Sequence, residues 1–294
     1  MIKLLIFGQT SLEILQTLRV TRTELTSIER FSRCGAIVCD LDGTLYLGDS
    51  LIPGAIDFLN RVRQSGRQLY YFTNNNSISR RAWAAKLAGL DFPAEERQLM
   101  TSADCADAYL KRHHLYPRIY LVGNSELQQE FASQGFVCLA EDEALRDEPK
   151  AVVLGFDTEI DYRKICTCYD LILRDVPYIA THPDVLCPVA RDTFKPDVGS
   201  FISLFETATS GRRPVIVGKP TQEAVRFISD KAHLPVQQIA FIGDRLYTDV
   251  RMAVTSGMVS VLVLSGETSE EMVKASPDQP HIIVNSVAEL VQYL

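Results

Sequence analysis

Two aspartates separated by one residue follow an apolar run near the start of the chain, in the sequence AIVCDLDGT. Residues two apart in a strand point to the same side, so Asp40 and Asp42 are expected to face one cleft while Leu41 points away. Such a carboxylate pair can supply a nucleophile together with a general acid and base. Taken alone, the pair fits a turn after a strand equally well, because Asp-Gly is common turn chemistry.

Three further polar groups follow apolar runs elsewhere in the chain. Thr73 and Asn74 follow QLYYF, Lys219 follows PVIVG, and Asp244 follows AFIG, with Asp249 five residues later. Each group separately is compatible with a loop. All of them nevertheless follow predicted parallel strands, whose carboxyl ends bind ligands in open α/β sheets. Carboxylate oxygens suit Mg²⁺, and hydroxyl, N–H and ammonium groups suit phosphoryl oxygens, so the set predicts a phosphoryl-transfer site.

The elements that must position these residues alternate between strands and helices. Near-continuous apolar runs predict strands buried on both faces, at 36–40, 68–73, 214–217, 239–243 and 259–264. Amphipathic patterns between them predict helices at 55–65, 79–89, 222–233 and 248–257. This alternation predicts an α/β fold with a doubly wound, Rossmann-like parallel sheet.

The middle of the chain has its own strands and helices and predicts an inserted, smaller α/β domain. Strands are expected at 119–122, 151–155 and 178–181, and helices at 126–134 and 162–174. The predicted division is an N-terminal extension of unknown role, a core in two pieces and an insertion, at residues 1–32, 33–113 with 208–294, and 114–207. The extension contains a partly apolar helical pattern that could pack on the core, mediate a dimer or form a leader, and its residues are Leu12, Ile14, Leu15 and Leu18.

Composition and charge exclude several classes of protein. The 294 residues include 46% hydrophobic and 23% charged residues, which is ordinary for a globular protein. The net charge of −7 argues against general affinity for nucleic acid or an anionic membrane. The seven cysteines show no paired CxxC spacing, and the apolar run at the start of the chain is too short to span a membrane. A cytoplasmic protein with reduced thiols is therefore expected.

Four motifs together carry a resemblance to a known family. DLDGT, FTNN, GKP and GDRLYTD resemble the motifs of the haloacid dehalogenase (HAD) superfamily, and their order and spacing resemble its NagD or p-nitrophenylphosphatase branch. That branch has a large α/β cap between the second and third motifs. YLGDSLIPGA, VVLGFDTEIDY and VLVLSGETS extend the resemblance, which covers residues 35 to 280. The resemblance implies a Mg²⁺-dependent phosphatase that works through an aspartyl-phosphate.

The resemblance also implies a role for each motif residue. Asp40 would be the nucleophile and a metal ligand, and Asp42 the general acid and base with its main-chain carbonyl on the metal. Lys219 would hold the nucleophile and the phosphate together. Thr73 and Asn74 would bind the phosphoryl group. Asp244 would ligate Mg²⁺, and Asp249 would complete or orient the metal shell.

The cap is expected to decide the substrate, because the core recognises only the phosphoryl group. The loop ATHPD is expected to overhang the site, with His182 and Asp184 as candidate specificity residues. The family commonly has Asn in place of His182, which either contacts the substrate or is a polar residue at a strand end.

The predicted partner is a small phosphate ester, such as a nucleotide, sugar, phosphoglycolate-like or aryl phosphate. Neither nucleic acid nor a membrane is expected as a partner, and a homodimer is one assembly compatible with the sequence. The alternatives are a phosphotransferase or mutase on the same core and, from another class, a non-catalytic protein that binds phosphate ligands.

Overall fold

The structure is a computed structural model that describes residues 22–92, 94–190 and 193–294. Within these residues the strands are, in chain order, β1 (Ala36–Cys39), β2 (Tyr46–Leu47), β3 (Ser50–Leu51), β4 (Gln68–Thr73), β5 (Leu99–Thr101), β6 (Arg118–Val122), β7 (Val137–Cys138), β8 (Ala151–Leu154), β9 (Tyr178–Ala180), β10 (Leu186–Ala190), β11 (Thr193–Pro196), β12 (Val215–Ile216), β13 (Ile239–Gly243), β14 (Val259–Val263) and β15 (Ile282–Val284).

The α-helices of the same residues lie between these strands. They are α1 (Arg22–Ser32), α2 (Ala55–Gln64), α3 (Arg80–Gly89), α4 (Ser102–Arg112), α5 (Ser125–Ser133), α6 (Glu141–Arg146), α7 (Tyr162–Leu173), α8 (Val198–Ala208), α9 (Gln222–Ala232), α10 (Arg251–Ser256) and α11 (Glu270–Ala275). Among the described helices, none is long and apolar enough to cross a membrane.

The larger sheet has six strands in the order β15-β14-β13-β1-β4-β5, and every adjacent pair is parallel. The chain starts at the central strand β1, continues outward through β4 and β5, and later returns to the other side of β1 through β13. The carboxyl end of β1 therefore lies where the direction of winding reverses, which is the usual ligand site of such a sheet. The predicted doubly wound parallel sheet is confirmed.

Both faces of this sheet are covered, which explains why its strands are apolar without interruption. Ile37 and Cys39 of β1 pack in one hydrophobic cluster with Trp83, while Val38 packs on the opposite face with Phe241. All of these side chains are buried. Each fully buried aliphatic or aromatic side chain contributes roughly 1.5–3 kcal/mol to folding, so β1 is anchored on both sides.

A second sheet of five parallel strands has the order β12-β9-β8-β6-β7. Its strands β6, β8 and β9 lie where strands of the insertion were predicted. The assignment of 214–217 to the larger sheet is wrong, because Val215 and Ile216 of β12 pair with Ile179 and Ala180 of β9. Residues 208–294 were predicted to form the second piece of the core. Residue 208 instead ends α8, and the strand that follows it, β12, belongs to the second sheet.

Two antiparallel hairpins and the first helix complete the described chain. The β2–β3 hairpin follows β1, and the β10–β11 hairpin lies between β9 and α8. Helix α1 packs on the larger sheet, where Phe31 is fully buried in a hydrophobic cluster. The predicted helical pattern of Leu12 to Leu18 lies outside the described residues.

Most predicted helices begin and end within two residues of the observed ones. The exception is the helix predicted at 248–257, where Leu246–Val250 forms a π-helical turn and α10 starts only at Arg251. Ser79 caps α3 by accepting a hydrogen bond from the main-chain N–H of Ala82. The elements that were not predicted are the strands β2, β3, β5, β7, β10, β11 and β15 and the helices α1, α4, α6, α8 and α11.

Candidate active site

The polar groups predicted to meet at one sheet edge lie together in the structure. Asp40 directly follows β1, Thr73 ends β4, and Asp244 directly follows β13, which are neighbouring strands of the larger sheet. Lys219 joins them from the loop after β12, and Asp249 from the π-helical turn that follows β13. All five are buried, so their charges and hydrogen bonds must be satisfied mainly by one another or by a ligand.

Lys219 is the centre of this group. Its ammonium donates to Asp40 Oδ1 at 2.5 Å and to the main-chain oxygen of Phe72 at 3.1 Å, and it lies 2.8 Å from Asp249 Oδ1. Burial lowers the pKa of Lys219, but Asp249 and Asp40 more than offset this, so the pKa lies above its ordinary value. A positive charge is therefore held beside one oxygen of Asp40.

Asp40, Asp244 and Asp249 have the geometry of a metal site. Each offers one carboxylate oxygen within 4.8 Å of the others. Burial, and next the charge of Asp249, raises the pKa of Asp244 to about 7. Asp244 Oδ2 accepts a hydrogen bond from the main-chain N–H of Glu267, whereas its buried Oδ1 has no hydrogen-bond partner among the described residues. Hard oxygen ligands with an unsatisfied acceptor fit a cation such as Mg²⁺.

Two glycines bring main chain directly against the Asp244 carboxylate. A Cβ on Gly43 would lie 2.4 Å from Asp244 Oδ2, and one on Gly266 would lie 2.1 Å from the same atom. Gly43 also has a φ of +76°, which favours glycine. The glycine of DLDGT is thus needed both for the turn and for the close packing of the carboxylate.

Asp42 lies in the same cleft as Asp40, but not for the predicted reason. Strand β1 ends at Cys39, so both aspartates lie in the loop after the strand, and strand alternation does not orient them. The hydroxyl of Tyr46 donates to Asp42 Oδ2 at 3.0 Å. Burial raises the pKa of Asp42, against the charge of Lys86, which lowers it. This environment favours a carboxyl group that can carry a proton.

Thr73 and Asn74 lie beside Lys219, as predicted. The side-chain amide of Asn74 donates to both carboxylate oxygens of Asp184, at 3.3 and 3.2 Å, and to the main-chain oxygen of Lys219. Its carbonyl oxygen accepts from the main-chain N–H of Lys219. Asn74 thus connects Lys219 to the ATHPD loop, and Thr73 Oγ1 accepts from the N–H of Asn75.

The two candidate specificity residues have different positions. Asp184 lines the cleft, whereas His182 is fully buried and packs behind it, with Nδ1 3.7 Å from Asp184 Oδ2 and Nε2 3.6 Å from Asp197 Oδ1. Neither ring nitrogen has a hydrogen-bond partner among the described residues. His182 is therefore neither a cleft-lining residue nor a hydrogen-bonded residue of a strand end.

Among the site residues that the sequence did not predict, three carry groups that bear on the chemistry. Tyr46 lies four residues after Asp42 and contacts it, and Arg245 directly follows Asp244. Both residues therefore lie within the sequence motifs named above. Asp197 lines the cleft from the N-terminus of α8, where its carboxylate accepts from the N–H of Val198. Burial raises the pKa of Asp197. Its sequence context, KPDVGS, carries no signal beyond that of a helix cap.

These residues surround a solvent-accessible cleft between the two sheets, of about 470 Å³ including its open mouth. The volume suits a small molecule. The charged groups that line it are four carboxylates and two cations, namely Asp40, Asp42, Asp184, Asp197, Lys219 and Arg245.

Comparison with known families gives the same assignment as this geometry. Residues 37–137 match the model of the haloacid dehalogenase-like hydrolases, and residues 216–290 match a second HAD-hydrolase-like model. A glycerol-3-phosphate phosphatase of Gallus gallus is 31% identical over 286 residues, which cover 88% of this chain and 91% of that one. The chain belongs to the haloacid dehalogenase superfamily.

Further HAD relatives agree in sequence and in structure. A dihydroxyacetone phosphatase of Corynebacterium glutamicum (strain R) is 32% identical, covering 85% of this chain and 88% of that one. A 4-nitrophenylphosphatase structure from Thermotoga maritima has a TM-score of 0.83 at 33% identity, over 90% of this chain and 98% of that one. NagD from Escherichia coli K-12 has a TM-score of 0.78 at 27% identity, over 87% and 98%. The resemblance to the NagD-type branch is thus confirmed.

Proposed function

We propose that the protein hydrolyses phosphate monoesters of small molecules, with Asp40 as the nucleophile and with Mg²⁺ as the cofactor. The family makes the chain a phosphoric monoester hydrolase. The observation that carries the proposed mechanism is the buried contact of Lys219 with both Asp40 and Asp249, next to Asp244, at the base of a cleft that Asp42 also lines.

In the first step, a carboxylate oxygen of Asp40 attacks phosphorus opposite the leaving oxygen. The new bond joins Asp40 to phosphorus, the ester P–O bond breaks, and Asp42 gives its proton to the departing alcohol. Lys219 keeps Asp40 in place and opposes the negative charge of the phosphoryl oxygens. Thr73 and nearby main-chain N–H groups are the proposed donors to those oxygens.

In the second step, Asp42 accepts a proton from water as that water attacks phosphorus. The bond between phosphorus and Asp40 breaks, inorganic phosphate leaves, and both aspartates return to their starting states. Protonation of an unperturbed aspartic acid at pH 7 would cost roughly 4 kcal/mol. Burial raises the pKa of Asp42 and so reduces this cost.

The residues that would hold Mg²⁺ are Asp40, Asp244 and Asp249, with the main-chain carbonyl of Asp42. The fit is supported by the unsatisfied Oδ1 of Asp244 and by the mutual closeness of the three carboxylates. When bound, the ion would neutralise charge on the phosphoryl oxygens and on the attacking carboxylate.

We further propose that the inserted segment is a cap that selects the substrate through the ATHPD loop. The domains proposed are the extension (1–32), whose helix α1 packs on the core, the core (33–113 with the part of 208–294 that follows β12), and the cap (114–207 together with β12). The relatives named above act on glycerol 3-phosphate, dihydroxyacetone phosphate and 4-nitrophenyl phosphate, and small esters of this kind are the proposed substrates here. A cytoplasmic location and a homodimer stay predictions.

A screen of phosphate esters with the purified protein, with and without Mg²⁺, tests this function. Release of inorganic phosphate that requires Mg²⁺ is the expected result. Transfer of the phosphoryl group to an added alcohol, with no release to water, would instead identify a phosphotransferase. Binding of esters without turnover, measured as thermal stabilisation, would contradict the enzymatic proposal altogether.

A further inference from the structure

His182 lies between two carboxylates that line the outer part of the cleft. Its Nδ1 is 3.7 Å from Asp184 Oδ2, and its Nε2 is 3.6 Å from Asp197 Oδ1. The ring is fully buried, and neither nitrogen has a hydrogen-bond partner among the described residues. Whichever nitrogen carries a proton, that proton faces a carboxylate oxygen.

This arrangement differs from that of a histidine buried only for packing. A buried polar atom without a hydrogen-bond partner costs roughly 1–3 kcal/mol. A ring with two such atoms is therefore unfavourable unless it stabilises the groups around it. A shift of less than about 1 Å would turn either approach into a hydrogen bond. His182 is thus placed to hold the two carboxylates, 13 positions apart in the chain, at a set separation.

Each carboxylate is attached to a different part of the site. Asp184 accepts a hydrogen bond from the side-chain amide of Asn74. The same Asn74 side chain hydrogen-bonds to the main chain of Lys219, so Asn74 connects Asp184 to the catalytic lysine. Asp197 caps α8 by accepting from the N–H of Val198. His182 therefore joins the wall contributed by α8 to the base of the cleft.

The outer wall carries a negative charge. Arg245 is the cation that lines this part of the cleft, and its guanidinium lies 3.1 Å from Glu267 and 3.7 Å from Asp184. Burial raises the pKa of Asp197 and Arg245 lowers it, but Arg245 is shared with Glu267 and Asp184, so three carboxylates surround one guanidinium here. A leaving group with hydroxyl or ammonium donors can bond to such a wall, whereas a leaving group with a carboxylate is repelled.

We propose that His182 is a positioning residue that holds Asp184 and Asp197 as one acidic wall, and that this wall selects phosphate esters whose alcohol carries hydroxyl or ammonium groups over esters that carry a carboxylate. The inference rests on the proposed function, since it names the substrate class of the same site. Among the candidate substrates, the proposal favours the polyol phosphates over the phosphoglycolate-like esters.

A matched pair of substrates tests the selection. Glycerol 3-phosphate and 3-phosphoglycerate differ only in a terminal hydroxymethyl group or carboxylate, and p-nitrophenyl phosphate serves as an aryl reference without donors. The expected kcat/KM is at least about tenfold higher for glycerol 3-phosphate than for 3-phosphoglycerate. Equal values, or a preference for 3-phosphoglycerate, would overturn the proposal.

Two variants test the residues. Asp197→Asn removes the charge but keeps a good helix cap, so the preference should fall at least about threefold. Asp161→Asn is its control, because Asp161 is the N-cap of α7 at an exposed position, where its carboxylate accepts from the main-chain N–H of Lys164. An unchanged preference in Asp197→Asn would show that Asp197 does not select the substrate.

His182→Asn should raise the KM for glycerol 3-phosphate about tenfold and lower its preference over 3-phosphoglycerate at least about threefold, with a smaller loss for p-nitrophenyl phosphate, which has no donor to this wall. His113→Asn, at the exposed end of α4, is the control. A uniform loss with all three substrates would identify a merely structural role. If thermal melting shows His182→Asn to be unfolded, Asp197→Asn decides the inference.

The same measurements separate this inference from the proposed function. If the wild-type protein releases phosphate from none of the three esters in Mg²⁺, the proposed function fails. If it hydrolyses p-nitrophenyl phosphate but shows no discrimination between the matched pair, only the inference fails.

Discussion

The base of the cleft and its outer wall hold their carboxylates in different ways. At the base, Lys219 lies 2.5 Å from Asp40 and 2.8 Å from Asp249. At the wall, His182 stays 3.7 Å from Asp184 and 3.6 Å from Asp197. The base is thus held by short ionic contacts, and the wall by a buried ring that makes no hydrogen bond to a described residue.

The difference follows from the origin of the two regions. At the base, Asp40, Thr73 and Asp244 lie at the ends of neighbouring strands of one parallel sheet, so backbone pairing determines their separation. Lys219 joins them from the loop after β12 of the second sheet. The wall combines the loop after β9 with the N-terminus of α8, and these meet only through packing. A site of this kind can keep its chemistry constant while its selectivity changes, because the two regions connect mainly through Asn74 and Arg245.

The largest expected effect is at the base. Asp40→Asn should lower the turnover of p-nitrophenyl phosphate by at least about 10³-fold, since an amide cannot replace the attacking carboxylate. Steady-state kinetics with a circular dichroism spectrum would check this. Asp49→Asn, on the exposed turn between β2 and β3, should leave the rate unchanged. Near-normal turnover by folded Asp40→Asn would disprove the nucleophile assignment.

Asp42→Asn should discriminate between leaving groups. Without a proton donor, alkyl phosphates should lose roughly 10²-fold more activity than p-nitrophenyl phosphate, because p-nitrophenolate leaves without protonation and an alkoxide does not. The measurement is kcat/KM for glycerol 3-phosphate and p-nitrophenyl phosphate in the wild type and the variant. Equal losses for both substrates would count against the acid role.

The metal-free protein should lose stability as the pH rises. Burial raises the Asp244 pKa to about 7 from the ordinary 3.8, so the folded protein binds more protons than the unfolded chain between these values. Stability from this group is fully present below pH 3.8 and is lost as the pH rises to about 7. At pH 8 in chelator, Asp244→Asn should therefore be more stable than wild type, on the order of 2 kcal/mol.

Urea unfolding of both proteins in chelator and in Mg²⁺ measures that effect. Added Mg²⁺ should stabilise the wild type and have little effect on Asp244→Asn, with Asp49→Asn behaving as wild type. Wild type that is more stable than Asp244→Asn at pH 8 in chelator would contradict the proposed repulsion among the three carboxylates.

The smallest effect concerns a link between the two sheets outside the cleft. Arg80 of α3 pairs with Asp104 at 3.2 Å and with Glu130 of α5 at 2.9 Å, and its side chain is only 23% exposed. Arg80→Gln should lower the unfolding free energy by about 1 kcal/mol without changing p-nitrophenyl phosphate turnover.

Arg97→Gln removes an exposed pair with Glu95 and is the matched control, expected to unfold like the wild type. A change in turnover by Arg80→Gln that exceeds its effect on stability would show that this ion pair also affects the cleft.

The sequence predicted the base of the site well because its signals are local. The apolar runs of β1, β4 and β13 locate the strand ends, and the polar residue at each end is read directly from the chain. The three-residue strand β5 was missed because its only apolar residues, Leu99 and Met100, stand in a polar context, whereas β9 of the same length lies in the longer run VPYIA. Strand β15, which also has three residues, was missed as well. The contact between the Tyr46 hydroxyl and Asp42 depends on a turn, which hydrophobic periodicity does not predict.

The sequence by itself determined the motifs, the alternation of strands and helices that indicates an α/β fold, and the chemical types of the residues at the base. The tertiary structure alone decided that β12 joins the second sheet, and that His182 lies buried between Asp184 and Asp197. The physical reason is that an apolar run indicates a buried strand, whereas the strand with which it pairs depends on packing between residues distant in the chain.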